Sequence, residues 1–345
     1  MGMVLVTGGA GYIGSVLVRR LLAKVQPVRI VDSFLYGDSA LAGLASDPRL
    51  TVVAGDIRDR EKMWRALDGI DRVAHLAAIV GDPACALRPG LATSTNLEAT
   101  ARLADLCQNA GVSRLAFAST CSVYGAGDVD LTEDSPVNPM SLYAETKIEA
   151  ERALQSKAGP GFSPVVLRFA TIYGLAPRPR FDLVANLLMA RAVRSGMITI
   201  HGGDQWRPFL HVADATRAIE LALDLPDDAA GRIYNVGSRD ENYRLRDVGE
   251  LIAELVPGTD LILDESAQDR RTYHVQFDRF AEAARFRADL SLRQGLIELR
   301  DYLSARPELD VSDPRWDNVR WLAASTSPDG DRPATPKSGP REVVR

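Results

Sequence analysis

Near its start the chain reads Val4-Leu5-Val6-Thr7-Gly8-Gly9-Ala10-Gly11-Tyr12-Ile13-Gly14-Ser15, with an apolar run before the glycines and an amphipathic one after. No other stretch limits the possible folds as tightly. Glycines at 8, 11 and 14 let a strand turn sharply, let backbone approach a pyrophosphate closely, and let a helix pack against the strand with its N-terminus facing the anion. A glycine triplet alone says little. Set between strand and helix, it specifies a dinucleotide-binding βα unit, with Tyr12 and Ile13 at the helix start lying against the cofactor.

The rhythm continues downstream. Apolar, β-branched runs at Val4–Thr7, Val28–Asp32, Thr51–Asp56, Arg72–Ala77, Arg114–Ser119 and Val165–Ala170 alternate with amphipathic stretches such as Ile13–Val25, Thr95–Ala110 and Ala144–Ala158. Such alternation predicts an α/β fold, a Rossmann-type doubly wound parallel sheet with helices on both faces. The runs lack a polar–apolar alternation, as befits strands buried on both sides. After Tyr173-Gly174 the pattern changes to a loop rich in proline and arginine, a helix at Asp182–Ser195 and a short strand at Ile198–His201. We expect residues 1–174 to form the cofactor domain, with a returning segment at 207–237. Residues 175–206 and 238–305 would build a smaller mixed α/β substrate lobe, and the polar, proline-containing stretch 326–345 would be disordered.

Composition excludes several classes. A formal net charge of -5 over 345 residues offers no basic surface for nucleic acid. No apolar run reaches the roughly 18 residues of a membrane span, and the first residues lack the pattern of a signal peptide. Three cysteines, Cys85, Cys107 and Cys121, show neither metal spacing nor an even disulfide framework. These features fit a soluble, cytoplasmic protein with free thiols and no metal. Only five of 41 basic residues are lysines, so Lys147 is more informative than arginine abundance.

Asp32 ends the second run at the spacing where an acid meets the adenosine ribose. A carboxylate there repels a 2′-phosphate, which favours NAD. Asp56, with Ile57 beside it, ends the third run and could reach the adenine or simply make a turn. Leu76, Ala77 and Ala78 follow the fourth, small enough for a cofactor to pass, whereas His75 reads as a packed histidine. Further on, Tyr143 and Lys147 stand four apart at a helix start, hence on one face. An ammonium beside a phenol favours the phenolate, so the pair suits a base working near neutral pH. Ahead of them, Ser119-Thr120-Cys121-Ser122-Val123-Tyr124-Gly125 closes a strand in hydroxyls and a thiol.

With these motifs together, the chain over roughly residues 3–305 resembles the extended short-chain dehydrogenase/reductases, in particular the NAD-dependent nucleotide-sugar epimerases and dehydratases. The resemblance implies a catalytic set of Thr120, Tyr143 and Lys147, and a homodimer formed through helices such as 95–110 and 143–158. It also gives meaning to Cys121-Ser122. The family's 4,6-dehydratases carry Asp-Glu there to expel the C6 hydroxyl and take the C5 proton, and its decarboxylases typically keep a glutamate at the position of Ser122. Neither acid is present, which leaves machinery to oxidise and re-reduce an alcohol.

Resemblance further implies substrate contacts: Arg207 and Arg271 (or Arg270) on the nucleotide diphosphate, Asn186 on phosphate or base, and Thr120, Cys121, Ser122, Tyr143 and Thr171 around the sugar. Thr171 departs from the asparagine usual there. Arg178 or Arg180 could pair with a C6 carboxylate or simply belong to an exposed loop. The leading expectation is a 4-epimerase of a UDP-hexose or UDP-hexuronate. The alternatives are a 4-ketosugar reductase with the same catalytic set, a dehydratase or decarboxylase, or a non-catalytic dinucleotide sensor.

Overall fold

Runs of valine, isoleucine and leucine become strands here because helices cover both their faces. The computed structural model describes residues 2–264, 266 and 271–325, with backbone alone at 128 and 129. In chain order the strands are β1 (Met3–Thr7), β2 (Val28–Asp32), β3 (Leu50–Ala54), β4 (Ile70–His75), β5 (Arg114–Thr120), β6 (Ala126–Leu131), β7 (Ser163–Phe169), β8 (Thr171–Tyr173), β9 (Met197–His201), β10 (Trp206–His211), β11 (Ile233–Val236), β12 (Asn242–Arg244), β13 (Asp260–Asp264) and β14 (Thr272–Val275).

Seven of them form one parallel sheet in the order β11-β7-β5-β4-β1-β2-β3. All seven residues of β7 are buried, as a strand covered on both faces should be. Strand order reverses between β1 and β4, and the crevice outside their carboxyl ends is where such sheets bind ligands. On one face of the sheet, Leu17, Val18 and Leu21 of helix Tyr12–Ala23 and Ala215, Ala218 and Ile219 of helix Val212–Leu223 share a core. On the other face, Met63, Leu103, Ala104, Ala150 and Leu154 come from helices Arg60–Ala66, Ala99–Ala110 and Leu142–Gln155. Burying each leucine contributes on the order of 2 kcal/mol.

The segment 207–237 divides its strands. β11 joins the edge of the main sheet, while β10 pairs with β8 and β12 in a separate three-stranded sheet. Two small parallel pairs, β13 with β9 and β14 with β6, complete the lobe. Its core gathers Phe181, Leu188, Met189, Ile198, Phe209, Val248, Leu292 and Leu296.

Several boundaries differ from the sequence reading for visible reasons. The third strand ends at Ala54 rather than Asp56, because Gly55 N–H is drawn to Asp32 O and Asp56 turns back to cap Arg58 N–H at 2.8 Å. The helix expected from Asp182 begins at Val184, since Asp182 is held by Arg180. The helix expected over 95–110 opens with a π-helical segment, Thr93–Glu98, before Ala99–Ala110. Residues 306–325, unassigned from sequence, include a short turn at Pro314–Trp316 and a helix, Asn318–Ala324, that returns to the cofactor domain. There Leu322 and Val319 pack with Ile79, Ala84, Cys85, Leu35 and Tyr36. Stretch 326–345 and Arg270 lie outside the described residues. Among the described residues no helix is long and apolar enough to cross a membrane.

Candidate active site

The glycine turn is built as its spacing requires. Gly8 has φ +73°, and a Cβ on it would come within 2.8 Å of Ala77 N. A Cβ on Gly14 would come within 2.1 Å of Gly8 O, so strand and helix could not approach as they do. Asp32 accepts from Ala10 N–H at 2.9 Å and Phe34 N–H at 2.8 Å, which fixes the ends of β1 and β2 against each other. Burial raises the Asp32 carboxyl, and those two N–H bonds oppose the rise. One cleft is lined by Gly8, Gly11, Tyr12, Ile13, Gly14, Asp32, Asp56, Ile57, Leu76, Ala77 and Ala78 together. Tyr12 also donates its hydroxyl to Gly174 O at 2.7 Å, tying the turn to the start of the lobe.

The cleft floor rests on a closed polar chain. Thr100 gives its hydroxyl proton to Asn96 O at 2.7 Å, so it accepts from His75 Nε2–H at 2.8 Å. His75 Nδ1 is then left to accept from Thr7 Oγ1 at 2.7 Å. Burial pulls this imidazole down to about 3, so it stays neutral and structural. Asn96 clamps Ile79, accepting from its N–H at 2.8 Å and donating to its C=O at 2.9 Å. Sequence reading passed over Asn96, although a π-helical turn carrying a buried asparagine is often a functional landmark.

Thr120 ends β5 and caps the short turn Cys121–Tyr124. Its Oγ1 accepts from Ser122 N–H and its hydroxyl donates to Ser122 Oγ, both at 3.1 Å. Helix Leu142–Gln155 begins because Ser141 Oγ accepts from Ala144 N–H at 3.2 Å. Its first turn carries Tyr143. One turn on, Lys147 Nζ donates to Ala118 O at 2.8 Å and lies 5.9 Å from the centre of the Tyr143 ring. Lys147 thus ties the turn that carries Tyr143 to β5, two residues before Thr120 at its carboxyl end.

Burial here works against the charged pair that the sequence argument expects. Burial, joined by Cys85 and Asp82, pushes the Tyr143 phenol up, and burial pulls Lys147 down to about 8. Loss of solvation disfavours both the phenolate and the ammonium.

The remaining predicted residues take varied places. Cys121 is buried, and its thiol donates to Arg168 O at 3.3 Å, so it faces the core rather than the sugar side. Ser122 Oγ lies 3.5 Å from the hydroxyl of Tyr273. Arg207 donates to Trp206 O at 2.7 Å and to Arg271 O, and stacks 4.8 Å from the Tyr273 ring. Arg271 forms an ion pair with Asp82, whose other oxygen accepts from the Ser141 hydroxyl at 2.6 Å. That acid joins the Arg271 stretch to the cap of helix Leu142–Gln155. Asn186 has a different task from the one expected. Its amide is taken up by Gly174 N–H, Gly174 O and Arg180 O, so it shapes the loop instead of reaching a phosphate. Thr171 begins β8, paired with Phe209.

Arg178 and Arg180 do not form an exposed loop. Both are buried, at 3% and 7% exposure, and both line the cleft beside Asp32 and Tyr36. Asn96 and Asn318 are residues of this region that sequence reading did not find, whereas the stretches Ile79–Cys85, which carries Asp82, and 269–275, which carries Tyr273, were read as lining the substrate pocket. Each arrives from a distant part of the chain.

The sequence model of the NAD dependent epimerase/dehydratase family matches residues 4–237. A UDP-glucose 4-epimerase of Corynebacterium glutamicum is 31% identical over 73% of this chain and 79% of its own. A dTDP-glucose 4,6-dehydratase of Actinoplanes sp. is 31% identical over 94% of this chain and 98% of its own. Among solved structures, MoeE5 in complex with UDP-glucuronic acid and NAD is 32% identical, covering 89% of this chain and 100% of its own at a TM-score of 0.78.

Proposed function

Because the chain belongs to the NAD-dependent epimerase/dehydratase family and its cofactor is NAD, we propose that it is a nucleotide-sugar 4-epimerase acting on a UDP-hexose or UDP-hexuronate. The observation that carries this reading is the end of β5. Where the family's dehydratases hold two acids, Cys121 turns its thiol into the core and Ser122 offers only a hydroxyl, bonded to Thr120. An alcohol can be oxidised and reduced there, but no carboxyl on that turn can protonate a leaving hydroxyl. A uridine nucleotide is supported by MoeE5, which was solved with UDP-glucuronic acid and with UDP-glucose.

NAD supplies the acceptor and later the donor of the C4 hydride. The chain's residues do the rest. Tyr143, as phenolate, takes the proton from the sugar C4 hydroxyl, directly or through the Thr120 hydroxyl. Lys147, anchored on Ala118 O, holds positive charge under the phenolate once it forms. Arg207 and Arg271 hold the diphosphate, with bidentate charge-assisted bonds suited to phosphate oxygens. When the 4-keto sugar presents its other face for re-reduction, Tyr143 would give its proton back to the C4 oxygen. No net oxidation occurs, so the cofactor stays with the protein.

The test is a proton NMR time course on UDP-glucose and UDP-glucuronate with purified protein and no added nucleotide. A new 4-epimer anomeric signal from either sugar is expected. A 4-keto-6-deoxy product, or two unchanged spectra, overturns the reading. Tyr143→Phe should reduce turnover by about 100-fold or more while leaving NAD bound, because only the proton acceptor is removed. We also propose a homodimer through the helices Ala99–Ala110 and Leu142–Gln155, to be read as twice the chain mass in sedimentation.

A further inference from the structure

The loop Pro177-Arg178-Pro179-Arg180 brings two buried arginines to the cofactor cleft, and they differ in one respect. Arg180 is neutralised: its Nε and terminal nitrogen donate to Asp182 at 2.7 and 2.6 Å. Arg178 is not. Its terminal nitrogen donates to Asn318 Oδ1 at 2.8 Å and Arg315 O at 3.2 Å, both neutral acceptors. No carboxylate among the described residues lies within ion-pair distance of it. Its guanidinium lies 4.3 Å from the centre of the Tyr36 ring. Its Nε–H is buried without a partner, as is the Tyr36 hydroxyl, and both residues line the cleft that holds the glycine turn.

A buried cation with only neutral partners is costly, and the cost falls when an anion joins it. Burial, and then Arg180, pull Arg178 down to about 10, against the opposing fields of Tyr36, Asp182 and Asp32, none of which pairs with it directly, and this still leaves it charged at neutral pH. Among the groups of a dinucleotide, the pyrophosphate carries the negative charge, and the glycine turn lining the same cleft is the element that receives it.

We propose that Arg178, positioned by Asn318 and stacked on Tyr36, is a second anchor for the cofactor's pyrophosphate, delivered from the substrate lobe. The anchor depends on a segment beyond the family match, which ends at residue 237. Trp316 O accepts from Phe181 N–H at 3.0 Å, and Trp321 Nε1–H donates to Leu35 O at 2.5 Å. Asn318 N–H donates to Asp182 at 3.2 Å, so one short segment sets both arginines. The inference rests on NAD as cofactor and not on the 4-epimerase reading.

The test compares wild type, Arg178→Met, Arg178→Lys and Asn318→Asp. NAD per protomer after purification is measured by chromatography, and stripped protein is titrated with NAD, ADP-ribose and adenosine. Arg178→Met should weaken NAD and ADP-ribose by about 10- to 100-fold, the worth of one charge-assisted pair, and leave adenosine unchanged. Arg178→Lys should fall between. Asn318→Asp keeps the acceptor but neutralises the guanidinium, and should show the same pattern at about tenfold. It decides the matter even if Arg178→Met fails to fold. Unchanged NAD affinity in Asn318→Asp overturns the proposal. So does an equal loss of adenosine, and so does a loss confined to UDP titrated into NAD-saturated protein, which would assign the anion to the substrate.

Discussion

Lys147 illustrates what a single buried residue costs and returns. Its ordinary value of 10.5 falls to about 8 because the ammonium is desolvated, with only Ala118 O accepting from it. Below pH 8 the amine is charged in folded and unfolded chains alike, and the burial cost is fully present. Between 8 and 10.5 the folded chain releases its proton first, so stability rises with pH and the cost disappears. Lys147→Met should therefore stabilise nucleotide-stripped protein at pH 7. The gain is at most about 3 kcal/mol from the shift. It is reduced by about 1 kcal/mol for the donor lost to Ala118 O. Thermal melts across pH should show this advantage shrinking toward pH 10.5 while turnover is lost at every pH. A constant or negative difference would refute the assignment. Lys147 and Tyr143 were legible in sequence because both sit on one turn of one helix. Asn318 was not, because the segment that carries it comes to the cleft only once the chain has folded.

Among the elements, helix Leu142–Gln155 is stitched to the sheet by a buried acid as well as by its apolar face. Glu151, one turn beyond Lys147, pairs with Arg168 of β7 at 2.7 Å and accepts from Ser119 of β5, next to Thr120. Arg168 in turn donates to the Tyr124 hydroxyl at 3.0 Å. The helix, two strands and the turn Cys121–Tyr124 are thereby joined in one network. Removing one partner of such a pair strands a buried charge, so Glu151→Ala should cost about 3–5 kcal/mol in chemical denaturation. Glu151→Leu combined with Arg168→Met should recover most of that loss. If the single variant loses less than about 1 kcal/mol, the network does not hold the helix. The strands of this region were readable from their unbroken apolar runs. Their polar stitching was not, since glutamate on a helix and arginine in a strand read equally well as surface residues.

For the whole molecule, the sequence made the seven-stranded half plain and the small lobe vague. Period and length identify long buried strands, but three-residue strands such as β8 and β12 leave no pattern to detect. The stretch 306–325 was read as no element at all, yet it spans both halves. It lies over Leu35 and Tyr36 of one and Phe181 and Asp182 of the other. A chain ended at residue 312 should keep its sheet, with far-ultraviolet dichroism close to that of the full chain, but purify without NAD. Full occupancy in that truncation would show that the segment does not close the cleft.

This segment also bears on how the protein is made. A chain emerging from the ribosome has its glycine turn early and Tyr143 midway, with a parallel sheet able to form as soon as β11 appears. Its cleft lacks one wall until Asn318 and Trp321 are free to fold back. Nucleotide arriving earlier finds a site from which it can leave. If Arg178 anchors the pyrophosphate, durable capture of the cofactor waits until this segment has been made, after the sheet and after Tyr143.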